Sequence, residues 1–403
     1  LYDQNASADW FDPEWMFGVV DGFDIVIGNP PYGNILGKDV NKNSKQFVKK
    51  YYIYSTISDI SSPFIEKGFS LLKSQGNLLY IITYAITFNK DFSKNRDLLA
   101  KNFGRSIIYT FDRDRCRIFK SMTQSVSILK CFIKNSPNKE GIYASRMFRE
   151  TPDINNIEVT NCNAYLLPKN SKYSQSHRLP KIGEEINRKI LEKLLQLNDN
   201  VGSIIKNSGT KIWIRTSGNY WYNAFDRKPY RSSEISYFNV DKDFADFLIL
   251  LINSNLFYFW VRIYGDGRHM NMDILESFPL PEKWKVLKNK VLFGKMKERF
   301  MQKLFSVFDK NHNKFITSSI KSEIDLLDLI LGKYFYNLDY KELVHILNYD
   351  FEVRGGNKLQ EQFSTVVNQI LSIKKQNPSV DTSQLERQID QLIYRLYGLT
   401  EEE

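Results

Sequence analysis

The sequence of 403 residues carries 56 lysines and arginines against 46 aspartates and glutamates, which gives a formal net charge of +10. This length predicts two or three domains with separate cores, and the positive charge favours an acidic partner. The three cysteines and four histidines lack ligand-like spacing, so we expect neither a disulfide framework nor a bound metal. No apolar signal segment opens the sequence, and a cytoplasmic location is expected.

The first clear element is a strand over residues 23–27. These residues are largely apolar and β-branched, and glycines lie on both sides of them. The strand runs directly into Asn29, Pro30, Pro31 and Tyr32. Consecutive prolines cannot donate hydrogen bonds to a sheet, so the chain must leave the strand here. In α/β proteins this end of a strand is where ligands bind.

The run Asn29-Pro30-Pro31-Tyr32 resembles the loop with which amino-group DNA methyltransferases hold a flipped base, and the chemistry of adenine explains these residue types. The N6 amino group of adenine is a poor nucleophile because its lone pair is delocalised into the ring. The side-chain oxygen of Asn29 and the carbonyl oxygen of Pro30 can each accept one N6 proton, which frees the lone pair. Tyr32 can stack on the extruded base. We therefore predict that residues 29–32 are catalytic; the alternative is an ordinary proline-rich turn.

The loop and the segments after it resemble the γ-type adenine-specific (N6) DNA methyltransferases, in particular the TaqI-like enzymes of restriction-modification systems. The similarity extends over the helices and strands predicted for residues 61–73, 76–82, 96–99, 107–111 and 125–132. It implies that Phe119 stacks on the other face of the flipped base, although an ordinary core phenylalanine is the alternative. Farther on, residues 251–255 and 275–281 resemble the TaqI-like C-terminal specificity domain.

The resemblance also implies that S-adenosylmethionine is the cofactor of the parent protein. That family holds the cofactor on a glycine-rich turn after its first strand. No such turn precedes Asn29, and the glycine pair at 355–356 follows polar sequence. We therefore predict no cofactor-binding residue in this chain and, because Leu1 is an unusual start, expect a C-terminal fragment that is inactive alone. Residues 23–27 would then form an edge strand, covered by residues 1–20 or by another chain.

Positive charge concentrates in residues 164–235, where thirteen lysines and arginines occur with six aspartates and glutamates. Two segments there, 211–215 and 227–231, interleave cations with aromatic residues, which suits contacts to phosphates and base edges. The alternative is a solvated basic face over an aromatic core. A second basic segment, 38–50, is predicted to be a flexible loop. We predict contacts to double-stranded DNA from Lys211, Arg215, Arg227, Lys228, Arg231 and, in a later turn, Arg268.

Proline, glycine and polar residues divide the sequence into three predicted domains. Residues 1–135 are the catalytic half of a methyltransferase domain, 136–283 a target-recognition domain, and 284–403 a helical region with a helical hairpin and no further clear strand. The predicted fold class is α/β, with a partial doubly wound sheet that lacks its cofactor half, followed by an α+β domain. The apolar stretch 244–264 is predicted to be a core helix, because polar residues interrupt it.

Three classes of function remain open. The first is the target-base and specificity part of an adenine-N6 DNA methyltransferase in a restriction-modification system. The second is an RNA or protein-N methyltransferase, since similar loops serve those reactions, but the long specificity region argues against it. The third is a non-catalytic DNA-binding module.

Overall fold

The computed structural model describes residues 12–31, 33, 42–112, 114–119, 124–133, 140–166, 178–218 and 222–349, with short stretches between 365 and 391. The described residues form two compact units. The first contains the residues up to 166 together with 178–184, and the second begins at Glu185.

The first unit is built on a six-stranded mixed sheet. Its strands are β1 (Phe23–Gly28), β2 (Leu72–Thr83), β3 (Arg105–Phe111), β4 (Val126–Phe132), β5 (Gly141–Phe148) and β6 (Thr160–Asn161), in the order β1-β2-β4-β3-β5-β6. β1 is parallel to β2 and β5 is parallel to β3, whereas β4 runs antiparallel to both of its neighbours. This central mixed sheet with its helices confirms the predicted α/β class.

Four helices accompany the sheet: α1 (Pro13–Phe17), α2 (Lys42–Tyr51), α3 (Ser61–Ser70) and α4 (Ser93–Asn102). The core follows from the period of two along β2, which buries Leu78, Tyr80 and Ile82. These side chains cluster with Ile65 of α3 and Leu98 of α4. The strands and helices predicted between residues 61 and 132 are observed, except that the first helix ends at Ser70 rather than residue 73, because β2 already begins at Leu72.

Two predictions for this unit need correction. Residues 42–50, predicted as part of a flexible loop, belong to α2, while 34–41 lie outside the described residues. The predicted domain boundary at 135 falls before β5, which pairs with β3 along its length from Arg105↔Gly141 to Phe111↔Phe148. The structure places the division near residue 184, because β5 and β6 complete the same sheet.

β1 forms one edge of the sheet, as predicted. In the described part of the chain only β2 pairs with it. Ile25 and Ile27 alternate onto one face and are 62% and 71% exposed. α1 reaches the start of β1, where the rings of Phe17 and Phe23 meet edge to face at 6.5 Å between centroids. Contact with α1 nevertheless leaves the side chains of Ile25 and Ile27 exposed to solvent.

The second unit combines a small antiparallel sheet with helices. Four strands form that sheet in the order β10-β9-β11-β8, and the remaining strands form two short pairs, β12 with β7 and β13 with β14. The strands are β7 (Asp199–Asn200), β8 (Ile205–Lys206), β9 (Thr210–Arg215), β10 (Ala224–Phe225), β11 (Ile235–Val240), β12 (Pro279–Leu280), β13 (Phe308–Asp309) and β14 (Lys314–Phe315). The helices are α5 (Glu185–Leu195), α6 (Ala245–Ile252), α7 (Asn255–Tyr264), α8 (Met272–Glu276), α9 (Lys283–Lys288), α10 (Lys290–Ser306), α11 (Lys321–Ile330) and α12 (Tyr340–Leu347).

The apolar stretch predicted as one core helix is two helices. Lys242–Ile252 and Asn255–Tyr264 meet at a bend of 75°. Ser254 explains the break, because its hydroxyl accepts from the Phe257 N–H and caps α7. Within the described residues no single helix is long and apolar enough to cross a membrane, although this bent pair passes the same test when taken together. Nearly all of its side chains are buried in the unit.

The predicted target-recognition and C-terminal regions are parts of one unit. Phe247 of α6 packs edge to face on Phe293 of α10, with ring centroids 5.1 Å apart. The C-terminal region was expected to lack further strands, but β13 and β14 form a short antiparallel pair. Most of the predicted helical hairpin lies outside the described residues; of those that are described, 365–366, 369–370, 372–373, 383–388 and 391 are helical.

A buried carboxylate holds the bend of the apolar helices. Asp328 of α11 accepts hydrogen bonds from the backbone N–H groups of Asn255 and Leu256, both at 3.0 Å. Its side chain is fully buried. Two donors at the N-terminus of α7 thus depend on one side chain from a distant helix.

We expect Asp328→Ala to lower the free energy of unfolding by about 1–3 kcal/mol, since it leaves buried N–H groups without an acceptor. Burial raises the pKa of Asp328 to about 7 from an ordinary value of 3.8. Wild-type protein should therefore lose stability as the pH rises through this interval, and the variant should lack that dependence. Denaturant unfolding between pH 4 and pH 8 tests both effects. Glu298→Gln, at an exposed carboxylate, is the control; equal profiles for all three proteins would contradict the assignment.

Candidate active site

Asn29, Pro30 and Pro31 follow β1 at the edge where its parallel neighbour β2 also ends. The register aligns Gly28 with Tyr80, and the space beside Gly28 is narrow: an added Cβ would lie 3.3 Å from the Tyr80 ring. Asn29 and Pro31 are exposed, whereas Pro30 is buried. The Asn29 side chain is exposed, and no hydrogen bond of its carboxamide is found among the described residues. Tyr32 lies outside the described residues.

The other end of this loop is fixed at Gly33. Its N–H donates to Asp59 Oδ2 at 3.2 Å, and its carbonyl oxygen accepts from the Ile60 N–H at 3.4 Å. Asp59 Oδ1 in turn accepts from the backbone N–H of Ser61 at 2.9 Å and from its hydroxyl at 2.6 Å. Gly33 has a φ of +109°, which a side chain would strain. The loop is therefore held between β1 and the start of α3.

The segment before α3 is held by a second carboxylate. Glu66 accepts from the backbone N–H groups of Ile53 and Tyr54 at 2.7 and 2.9 Å, and from the Ser55 hydroxyl at 2.7 Å. Sequence reasoning missed both Asp59 and Glu66. The Asp59-x-Ser61 pattern just before a helix was a readable turn signal, but the bonds from Asp59 to Gly33 and from Glu66 to residues 53–55 cross eleven or more positions and have no local signature.

Phe119 lies in the connection between β3 and β4, where it is half-buried. The start of this connection is shaped by Asp112, whose carboxylate accepts from the Asp114 and Arg115 N–H groups at 2.9 and 3.1 Å. Phe119 lines a small pocket together with Phe111, Cys116, Arg117, Ile118, Gln124 and Val126.

Gln124 connects this pocket to the predicted catalytic loop. A Cβ placed on Gly33 would lie 3.9 Å from Gln124 Nε2, and Gln124 itself lines the Phe119 pocket. The structure thus brings the Phe119 pocket close to the end of the loop that begins at Asn29. Sequence reasoning did not single out Gln124.

A buried arginine shapes the end of β2. Arg96 of α4 donates to the carbonyl oxygens of Ile86 and Asn89 at 2.8 and 3.0 Å, which holds the turn that follows β2. Burial and, to a lesser extent, the nearby Arg178 lower the pKa of Arg96 to about 9. The guanidinium remains charged at neutral pH and acts as a fixed donor in the fold.

The described residues around the loop offer hydrogen-bond acceptors rather than a nucleophile. Burial raises the pKa of Cys131 and Cys162 to about 12 and also raises that of Cys116, so all three thiols stay protonated at neutral pH. Among the described residues no group of three or more histidine, cysteine, aspartate or glutamate side chains is arranged to hold a metal ion. The chemistry available here is that of an amide and backbone carbonyls.

The predicted DNA-binding cations belong to the second unit, and most of them lie on or near β9. Lys211 Nζ lies 4.5 Å from the Tyr237 ring centroid and Lys228 Nζ 5.3 Å from that of Trp213. Arg215 is paired with Glu234 at 3.2 Å, which offsets part of its charge.

The remaining predicted cations differ in how firmly they are held. Arg227 lies 4.0 Å from the Phe305 ring centroid, whereas Arg231 is exposed and has no ion-pair partner among the described residues. Arg268 is half-buried, in a turn whose backbone bonds to the segment after β9 through its carbonyl oxygen and the Gly218 N–H.

Residues 2–119 match the family model described as Eco57I restriction-modification methylase. The matched range contains β1, the Asn29–Gly33 loop and Phe119. A Type II methyltransferase of Thermus thermophilus, M.TthHB8I, is 32% identical over 113 residues, which are 24% of this chain and 26% of that protein.

A second relative, the Type II restriction enzyme and methyltransferase RM.Eco57I of Escherichia coli, is 25% identical over 206 residues, 50% of this chain and 19% of that protein. The aligned part thus spans about a fifth to a quarter of the length of these two relatives. Among solved structures, the Type IIL restriction-modification enzyme MmeI in complex with DNA is 12% identical with a TM-score of 0.44, covering 86% of this chain and 57% of that chain.

Asp59 is expected to anchor the loop. In Asp59→Ala the Gly33 N–H loses a charged acceptor, which should speed its amide hydrogen exchange by roughly tenfold or more. Exchange measured by NMR tests this. The control is Asp97→Ala, which removes a half-exposed carboxylate that pairs with Lys101 on α4. Unchanged exchange at Gly33 in Asp59→Ala would mean that the bond to Ile60 alone fixes the loop.

Proposed function

We propose that this chain supplies the target-base loop and the DNA-specificity region of a site-specific adenine-N6 DNA methyltransferase in a restriction-modification system. The observation that carries the proposal is the exposed carboxamide of Asn29, followed by the buried Pro30, at the carboxyl end of β1. It occurs within the segment similar to Eco57I-type methylases. The Type II methyltransferase relatives support the same reaction class.

In this proposal the loop activates the methyl acceptor. Asn29 Oδ1 and the Pro30 carbonyl oxygen each accept one N–H of the adenine amino group, so the nitrogen moves towards tetrahedral geometry and its lone pair leaves the ring system. Pro30 is buried, while the exposure of Asn29 lets the base enter. Phe119, beyond Gln124, provides an aromatic surface near the base, and Tyr32 provides the second one.

S-adenosylmethionine, the cofactor that the family resemblance implies, supplies an electrophilic methyl group when bound. The described residues do not fit it, since no glycine-rich turn follows a buried strand among them. We propose that the cofactor is held by strands that dock on the edge of β1 that has no partner strand among the described residues. The exposed backbone edge and the exposed side chains of Ile25 and Ile27 suit that role.

Asn29→Ala in the complete methyltransferase is expected to reduce adenine methylation by on the order of a hundredfold or more, because one of two acceptors for the amino group is lost. DNA affinity should stay near the wild-type value, since the substitution removes no charge. Transfer of labelled methyl groups to DNA and a gel-shift titration measure the two quantities. Asn102→Ala, at an exposed position on α4, is the control. Normal methylation by Asn29→Ala protein would overturn the proposal and leave the loop as a turn.

We further propose that the basic residues of the second unit bind the phosphates of double-stranded DNA. Replacing Lys211, Arg215, Arg227, Lys228 and Arg231 together by alanine should weaken duplex binding strongly and flatten its salt dependence, because fewer counterions are released. The matched control replaces five exposed lysines of the C-terminal region, namely Lys288, Lys303, Lys310, Lys314 and Lys341. Titrations at several salt concentrations measure the effect. Equal losses in both variants would place the DNA surface elsewhere.

A further inference from the structure

Two aromatic side chains lie next to each other on the outer face of the four-stranded sheet. Alternation along β9 buries Ile212 and Ile214 on one face and directs Trp213 to the other. Trp213 is directly opposite Tyr237 of β11 in the antiparallel register, with ring centroids 5.0 Å apart. Tyr237 is 48% exposed, so an aromatic surface faces solvent where core packing does not require one.

A lysine lies over each of these rings. Lys211 covers Tyr237 and Lys228 covers Trp213, at the distances given above. Neither lysine forms an ion pair among the described residues, in contrast to Arg215 on the same strand. Lys211, Tyr237, Trp213 and Lys228 thus form a row in which two aromatic rings lie between two cations. We call this row the β9–β11 face.

The chemistry of this row indicates its ligand. Aromatic faces bind planar heterocycles by stacking, and ammonium groups on both sides bind phosphates. In a duplex the base faces are covered by their neighbours, so the rings would have no partner and only the lysines would contribute. An unpaired strand offers both base faces and phosphates. An apolar protein partner would leave two unpaired cations beside it.

We infer that the β9–β11 face is a stacking site for the unpaired bases of a single-stranded nucleic acid. This function goes beyond methylation of a duplex and does not depend on the Asn29 loop. Each stacked base contributes about 1–3 kcal/mol, which corresponds to about a 5- to 150-fold change in affinity.

The test compares a labelled oligothymidine with a fully paired hairpin, by fluorescence anisotropy on the full chain. Tyr237→Ala and Trp213→Ala should each weaken oligothymidine binding by about 5-fold or more, with less than about a twofold change for the hairpin. Trp213→Phe should restore most of the affinity, because it keeps an aromatic ring. If Trp213→Ala fails to fold, the half-exposed Tyr237 still provides the test. An oligouridine of the same length distinguishes RNA from DNA as the source of the bases.

The chain provides a matched control in Trp284 of α9. This side chain is 61% exposed, and Lys285 Nζ lies 5.8 Å from its ring, but Lys285 is paired with Glu282 at 3.3 Å. Trp284→Ala should leave both titrations unchanged.

Three results would overturn the inference: no binding of oligothymidine or oligouridine by wild-type protein, equal losses for single strand and hairpin, or an equal loss in Trp284→Ala. Equal losses for oligothymidine and the hairpin would contradict the stacking site but not the proposed duplex contacts. The Asn29 loop is tested separately, by the methylation assay.

Discussion

Parallel pairing of β1 with β2 is the constraint from which the candidate site follows. The register from Ile25↔Asn77 to Gly28↔Tyr80 makes both strands end at one edge, and the chain must turn there because two prolines follow. Bonds from Gly33 to Asp59 and Ile60 then return the chain to α3. The loop that begins at Asn29 is thereby fixed at Gly33 as well as at β1. The proposed acceptors, the side-chain oxygen of Asn29 and the carbonyl oxygen of Pro30, carry no charge. Their effect on the adenine amino group therefore depends on their position.

Four carboxylates of this protein bind backbone groups where regular structure begins or ends. Asp59, Glu66, Asp112 and Asp328 each accept from two or more backbone N–H groups or neighbouring hydroxyls, at loop ends or a helix start. Such bonds satisfy donors that regular structure leaves open. The candidate site itself is lined by aromatic, amide and carbonyl groups. At these four positions a carboxylate fixes a loop end or a helix start.

Local patterns in the sequence predict the parts whose cause is local. The β-branched run before Asn29-Pro30 and the helix of period 3.6 beginning at Ser61 are examples, and both are observed. The sequence prediction placed β5 in the wrong domain, because the polar, proline-containing segment before β5 has the composition of a linker. That segment connects β4 to β5 within one sheet. Asp59 and the Trp213–Tyr237 pair depend on partners 26 and 24 positions away, where a single sequence carries no periodic signal. Residue 32 and residues 219–221 lie outside the described part of the chain.

Burial of all three cysteines has a practical consequence for experiments in solution. Their protonated, enclosed thiols react slowly with maleimides at neutral pH, so the natural sequence already serves as an unreactive background for site-specific labelling. A cysteine introduced at the exposed Ser236 would accept a dye without removing any native thiol, on the face of β11 opposite to Tyr237. Such a probe follows binding through its own emission and leaves the rings of Trp213 and Tyr237 unaltered.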